Sequence, residues 1–290
     1  MVTLVDATLA HSRLSRDLLA HHVQLACLLE VSAAKPGNIT PAHDFCDTTY
    51  ADMVRSALAL GPVFARRRAR RRRVGELIAD AVSATALVTD ANTNLGIVLL
   101  FAPLVRAEAT RPADESLRSA TERTLGQLDI DDAAAAFAAI VRAGPGGLGE
   151  APEHDVREPA RIGFREAMAA AGHRDSIAAE YATGYEIVFD TGLPLLAEAL
   201  ADGAPTLDAV VSLHVGLLAS RPDTLIERKA GAAAARAVTA GAREVRAGTR
   251  RLEEFDAALR GPDHRLNPGA TADLVAGTLL AALLTGVKLR

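Results

Sequence analysis

Apolar residues recur along this chain at helical spacing, and the recurrences are cut by turns that carry Asp or Asn beside Gly or Pro. Val74, Leu77, Ile78, Ala81, Val82 and Thr85 mark one face of an amphipathic helix. Leu207, Val210, Val211, His214, Leu217 and Leu218 repeat that spacing, and His214 on this stripe reads as a core histidine. Apolar residues make up 49% of the chain, aromatics only 3%, and there is no Trp. That balance favours helices packed through small side chains over a β-sandwich, which draws on β-branched and aromatic residues. The expected fold is all-α: a single compact multi-helix bundle over residues 1–290, with its active site at clustered loop and helix ends.

Helices are expected over about Leu14–Val31 and Thr48–Leu60, with Gly61-Pro62 closing or kinking the second. Two more lie between Pro112 and Arg142, separated near Leu128-Asp129-Ile130. Pro159–Ala171 reads as helical, and Ser176–Leu200 as one long helix with Tyr181, Tyr185 and Phe189 as a core stripe. Helices continue to about Leu259, and the last is the apolar run Leu274–Val287.

Composition also excludes classes. A net charge of −4 argues against general nucleic-acid binding. The run Arg66–Arg73 reads as a solvated basic turn, with a polyphosphate clamp as the alternative. Cys27 and Cys46 lack the spacing of a zinc site or disulfide framework. No signal peptide is expected, because Asp6, His11, Arg13 and Arg16 stand where an apolar stretch is needed. Leu274–Val287 falls short of the roughly 20 residues of a membrane span. The expectation is a soluble, cytoplasmic protein with small-molecule substrates and neither nucleic-acid nor membrane partners; a homodimer is compatible with it.

The turns are richer than turns need to be. Ala33–Phe45 spends Lys35, Asn38, His43 and Asp44 on a break that Pro36, Gly37 and Pro41 already make. Asp90, Asn92, Thr93 and Asn94 crowd the mouth of the apolar run Ile97–Val105, where one such residue suffices as a cap. Gly144–Asp155 is glycine-rich but lacks the P-loop pattern, and it ends in His154-Asp155. Asp223 precedes Glu227, Arg228 and Lys229, and Asn267-Pro268-Gly269 leads to Asp273. Ala33–Phe45 alone reads equally as an ordinary interhelical loop, Gly144–Asp155 is a weak signal, and Asp223 has an ordinary reading as a cap. Together they allow Asp44, Asp90, Asp155, Asp223 and Asp273 to converge as a carboxylate array for Mg²⁺, with Lys35, Arg228 and Lys229 as phosphate contacts.

Four motifs in order carry a further resemblance. They are Lys35-Pro36-Gly37-Asn38 with His43-Asp44, and Asn92-Thr93-Asn94-Leu95-Gly96. The others are Pro222-Asp223-Thr224 with Arg228-Lys229-Ala230-Gly231, and Asn267-Pro268-Gly269 with Ala272-Asp273-Leu274. The chain resembles the triphosphoribosyl-dephospho-CoA synthases, an all-helical family. That resemblance implies a transferase that takes ATP and 3′-dephospho-CoA, releases adenine and joins the triphosphoribosyl group to the acceptor's 2′-hydroxyl. It implies His43 and Asp44 as catalytic residues, with Asp90 joined to them from its crowded turn, and Lys35, Asn38, Asn92, Asn94, Arg228, Lys229 and Asn267 as substrate contacts. Better-known members have Gly-Ala-His where this chain has Pro41-Ala42-His43, and His and Lys where it has Asn94 and Leu95. It therefore looks like a divergent, archaeal-type-like branch. Two alternatives stand beside it: a Mg²⁺-dependent nucleotide or pterin-phosphate hydrolase or kinase, and a non-catalytic helical binding protein.

Overall fold

A computed structural model describes residues 18–144 and 155–289. In chain order the helices are α1 (Leu18–Ser32), α2 (Tyr50–Val63), α3 (Arg66–Ala69), α4 (Val74–Ala86), α5 (Leu95–Thr110), α6 (Leu117–Leu125) and α7 (Ile130–Ala143). They continue with α8 (Phe164–Ala171), α9 (Ser176–Thr183), a π-helical segment (Ile187–Gly192), α10 (Leu193–Ala201) and α11 (Thr206–Ser220). The last are α12 (Thr224–Ala230), α13 (Ala232–Arg246), α14 (Leu252–Leu259) and α15 (Gly269–Leu284). Apart from a bridge between Thr40 and His43, no strand occurs among the described residues, so the all-α expectation holds. None of these helices is long and apolar enough to cross a membrane.

Two helices differ from the rest because they are apolar on every side. α5 and α15 are buried along almost their whole length and pack on each other, as such helices must. Amphipathic neighbours such as α4 and α6 pack on α5 and present polar residues to solvent, and α7 covers α4 in turn. A smaller apolar cluster, centred on Leu218, Ile226 and Phe255, joins α11 to α14.

Pro103 sits in the middle of buried α5 and has no N–H to offer the carbonyl of Leu99, one turn earlier. The hydroxyl of Tyr181 donates to that carbonyl at 2.6 Å, and Tyr185 donates to the next one, Leu100, at 2.8 Å. The expected aromatic stripe is in the core, and it also repairs a proline defect. The long helix expected over Ser176–Leu200 is broken, however. Gly184 and Tyr185 both have positive φ, and the Glu180 carboxylate accepts the N–H groups of Ile187 and Val188 at 2.8 and 2.9 Å. The chain resumes as the π-helical segment before α10. Burial pushes the Glu180 carboxyl up to about 7 in spite of those two donors.

Elsewhere the boundaries move modestly. Pro62 lies inside the last turn of α2, which runs on to Val63, and α8 starts at Phe164 rather than Pro159. The Arg66–Arg73 run forms α3 and a turn, with Arg66 on Glu108 at 3.4 Å, Arg68 on Asp80 at 2.7 Å, Arg72 on Glu76 at 3.1 Å and Arg73 on Asp129. It is a salt-bridged surface turn.

Replacing Tyr181 with Phe strands the Leu99 carbonyl inside the core, and should lower the unfolding free energy by about 1–3 kcal/mol. Tyr185→Phe should cost less, because Leu104 retains an N–H for the Leu100 carbonyl. Urea unfolding of both variants checks the order; equal losses would contradict the repair.

Candidate active site

Several helix N-termini are tied together by two aspartates. One oxygen of Asp223 caps α12 by accepting from Leu225 N at 2.8 Å and Ile226 N at 3.0 Å. Its other oxygen accepts from both the backbone N and the hydroxyl of Thr271, at 2.7 Å each, in the first turn of α15. Asp175 caps α9 through Ile177 and Ala178, and turns its second oxygen to Arg228 Nη1 of α12 at 2.6 Å. Ser176 bonds Thr224 across the same junction.

The N-terminus of α5 meets this junction at a glycine. A Cβ on Gly96 would run into the carboxylate of Asp273, so only glycine leaves that carboxylate room beside the first turn. Among the described residues Asp273 has no hydrogen bond or ion pair. Burial pushes its carboxyl well above the usual range, and the nearby charges of Glu30, Asp223 and Asp175 add to this while Arg228 opposes it. Burial also raises the Cys27 thiol, followed by Glu30 and Asp273, which places α1 against the same cluster.

The loop after α1 supplies the other wall. Lys35 is fully buried, with Nζ 2.9 Å from Glu30 Oε1 and bonded to the Glu30 carbonyl near the end of α1. Gly37 takes φ +74° and donates its N–H to Asp256 Oδ1 at 2.8 Å, which docks the loop on α14. Asn38 Nδ2 lies 3.2 Å from the Pro36 carbonyl and 3.3 Å from His214 Nε2. Further on, His43 and Asp44 are exposed, and Asp44 accepts from Tyr50 N at 2.6 Å. Phe45 stacks on His264 at 3.9 Å.

The remaining expected residues fall around this centre. Asn94 is buried against Thr85, Asn92 Oδ1 accepts from Leu95 N at 3.3 Å, and exposed Asp90 lines a cleft with Asn92, Thr89 and Arg142. Asn267 Oδ1 is buried without a partner, and the carbonyl of Lys229 is held by Arg265. Asp155 binds Arg157, and His154 lies outside the described residues.

The structure therefore divides the expected carboxylate array. Asp223 and Asp273 come together, but their companions are Glu30 and Asp175, while Asp44 accepts from the α2 start, Asp155 binds Arg157 and Asp90 lies exposed in the cleft beside Asn92. Among the described residues, no three His, Cys, Asp or Glu side chains are grouped to hold a metal ion. The reason is competition: Asp223 spends both oxygens on four donors. Glu30, Asp175 and the space at Gly96 were not anticipated. Glu30 had a signal, since it is the lone charge in the apolar stretch Ala26–Val31; Asp175 reads only as another cap.

Asp223→Ala removes the acceptor for four donors at two helix ends, and should cost about 2–4 kcal/mol in thermal or urea unfolding. Exposed Asp90→Ala should stay within about 0.5 kcal/mol.

Comparison with known proteins identifies the frame that carries this arrangement. No curated protein matches the chain. The crystal structure of a protein from Archaeoglobus fulgidus, assigned as a triphosphoribosyl-dephospho-CoA synthase, superimposes with a TM-score of 0.64 at 27% identity; the match covers 80% of this chain and 99% of that one. The family described as ATP:dephospho-CoA triphosphoribosyl transferase (CitG) matches residues 16–289. With that match spanning nearly its whole length, the chain belongs to this transferase family.

Proposed function

We propose that the protein transfers the triphosphoribosyl group of ATP to the 2′-hydroxyl of 3′-dephospho-CoA, or a closely related phosphorylated acceptor, and releases adenine. The bond between ribose C1′ and adenine N9 breaks. Adenine leaves with the bonding pair and takes up a proton, while the acceptor oxygen bonds C1′ and gives up its proton. The observation that carries this reading is the unpartnered Asp273 carboxyl, set among Glu30, Asp175 and Asp223 where helix N-termini meet.

An oxocarbenium-like transition state gains from nearby negative charge, which Glu30 and Asp175 supply. Asp273, held toward its neutral form at rest, is suited to protonate the departing adenine. Exposed His43 and its neighbour Asp44 are assigned to the acceptor hydroxyl, and Asp90, Asn92 and Asn94 to the substrate that enters beside α5. Lys229, with no side-chain partner among the described residues, and Arg228 are assigned to the triphosphate, together with Lys35, Asn38 and Asn267 on the facing loops.

The donor set fits Mg²⁺ in the manner usual with phosphates, through one or two carboxylates and not a full protein cage. Glu30 or Asp175 would hold the ion, leaving Asp273 to keep its proton for adenine and Asp223 occupied as a cap. Bound there, Mg²⁺ would neutralise phosphate charge next to these carboxylates.

Incubating the purified protein with ATP, Mg²⁺ and dephospho-CoA should release one adenine per acceptor consumed, resolved by liquid chromatography. Asp273→Asn should lower this rate about 10²–10⁴-fold, and Gly96→Ala should lower it by displacing the same carboxylate. ADP, AMP or inorganic phosphate in place of adenine would overturn the reading.

A further inference from the structure

The break between α9 and α10 carries a buried charge that the proposed chemistry does not use. Glu180 is fully buried and forms no ion pair among the described residues. It spends one oxygen on Ile187 N at 2.8 Å and the other on Val188 N at 2.9 Å. Those donors open the π-helical segment, just after Gly184 and Tyr185, both at positive φ. A left-handed tyrosine is strained and π-helical turns are rare, so the break stands only while something holds it. Both bonds need an ionised carboxylate; a neutral carboxyl keeps its carbonyl oxygen as acceptor and turns the other oxygen into a donor. Arg221, at the end of α11, favours the ionised form, and Glu186 opposes it. Of the helices packed on α9, α5 has no charge before Arg106 and α15 has only Asp273. On α8, Glu166 is exposed and Arg165 turns to the Tyr181 and Ala182 carbonyls and to Glu122. Burial outweighs Arg221 and the two donors, and the carboxyl titrates at about 7.

Val188 links this carboxylate to the site. A Cβ on Gly277 of α15 would meet Val188 Cγ2 at 3.4 Å and Leu100 Cδ1 at 3.2 Å. Gly277 lies one turn after Asp273 on the same face of α15, and Leu100 one turn after Gly96 on α5. The two helices therefore meet at two glycine steps, Asp273 against Gly96 and Leu100 against Gly277, with Val188 wedged at the second. We infer that Glu180 is a positioning residue: its ionised carboxylate pins Val188 against Gly277 and so fixes Asp273 beside Gly96. Protonating Glu180 releases one of the two N–H groups, loosens the wedge and lets the Asp273 carboxyl shift. That the placement of Asp273 governs turnover rests on the proposed function; the pin itself does not.

Glu180→Gln keeps the shape and one acceptor, but puts a donor where the second oxygen was. Comparing it with the wild type in adenine release cancels the titration of every group the two share. At pH 8 the variant's kcat should be about tenfold lower with KM unchanged, the loss of one hydrogen bond. At pH 6 the wild type is itself mostly protonated, and the ratio should shrink to about twofold. A ratio that stays constant across this range, or a loss confined to KM, would overturn the inference and leave the transferase reading intact. Hydrogen exchange on the full chain gives a readout without substrate. Protection of residues 186–192, corrected for intrinsic exchange, should fall about fivefold from pH 8 to pH 6 in the wild type and stay low in Glu180→Gln. Constant protection in the wild type overturns the pin even should the variant not fold. A wild type that shows the exchange step but releases no adenine overturns the proposed function, and the positioning role with it.

Discussion

The carboxylate of Asp223 holds two helices by their N-termini at once. A helix start leaves several N–H groups without partners, and a buried start must find acceptors for them. α12 and α15 both begin in the interior, and Asp223 gives one oxygen to each. Its burial disfavours the charge, and its pKa rises accordingly even against these donors. What the arrangement gains is register. With α15 fixed along its axis, Asp273 stands one turn further in, level with Gly96 at the start of α5. Asp175 does the same for α9 and reaches Arg228, so a chain of caps sets the relative heights of α5, α9, α12 and α15.

That geometry assembles four carboxylates, and like charges in a partly dry space repel. The structure limits the repulsion in three ways. Glu30 is paired with Lys35, Asp175 with Arg228, and Asp223 with backbone donors. Asp273 alone is left without a partner, and burial together with the charges of Glu30, Asp223 and Asp175 pushes its carboxyl well above the usual range. A side chain loaded in this way answers to whatever positive charge arrives. This is the property expected of a group beside a cationic transition state, and it needs no ready-made metal cage.

Much of the fold was legible because its signals are local. Helical spacing, Asp or Asn before a helix, and Gly-Pro breaks each act within a few residues, and α4, α6, α7 and α11 lie close to where they were expected, while α15 starts five residues before the apolar run that marks it. The failures were non-local. Nothing near Ser176–Leu200 reveals that Glu180 captures the N–H groups of Ile187 and Val188, or that Gly184 and Tyr185 turn left-handed. Tyr181 and Tyr185 read correctly as core, but their hydroxyls answer a proline some 80 residues away. At the candidate site, Lys35, Asn38 and Asp223 drew notice because they stand where polarity in a turn is conspicuous, and Asp273 because it is the lone charge at the front of an apolar helix. Glu30 hides at the end of an apolar helix, and Asp175 resembles any cap. Both gain meaning only from the cation each one faces.

His214 shows the opposite case, a residue that reads as core from its spacing and whose contacts reach a distant loop. Its spacing puts it on a core stripe, and it is indeed in the core. The distinction lies in what the ring touches. It meets the loop after α1, with Nε2 3.3 Å from Asn38 Nδ2 and a hydrogen bond to the Pro36 backbone. Lys35 on the same short loop is likewise buried and satisfied from within, by the side chain and carbonyl of Glu30. Gly37 between them is pinned by Asp256, and a side chain there would strike Leu259 and Pro268. Each consecutive part of the turn is thus fixed by a different helix: α1 through Glu30, α14 through Asp256, α11 through His214. A loop held at three points by three helices has little freedom left, and what it presents to a ligand is set before the ligand arrives.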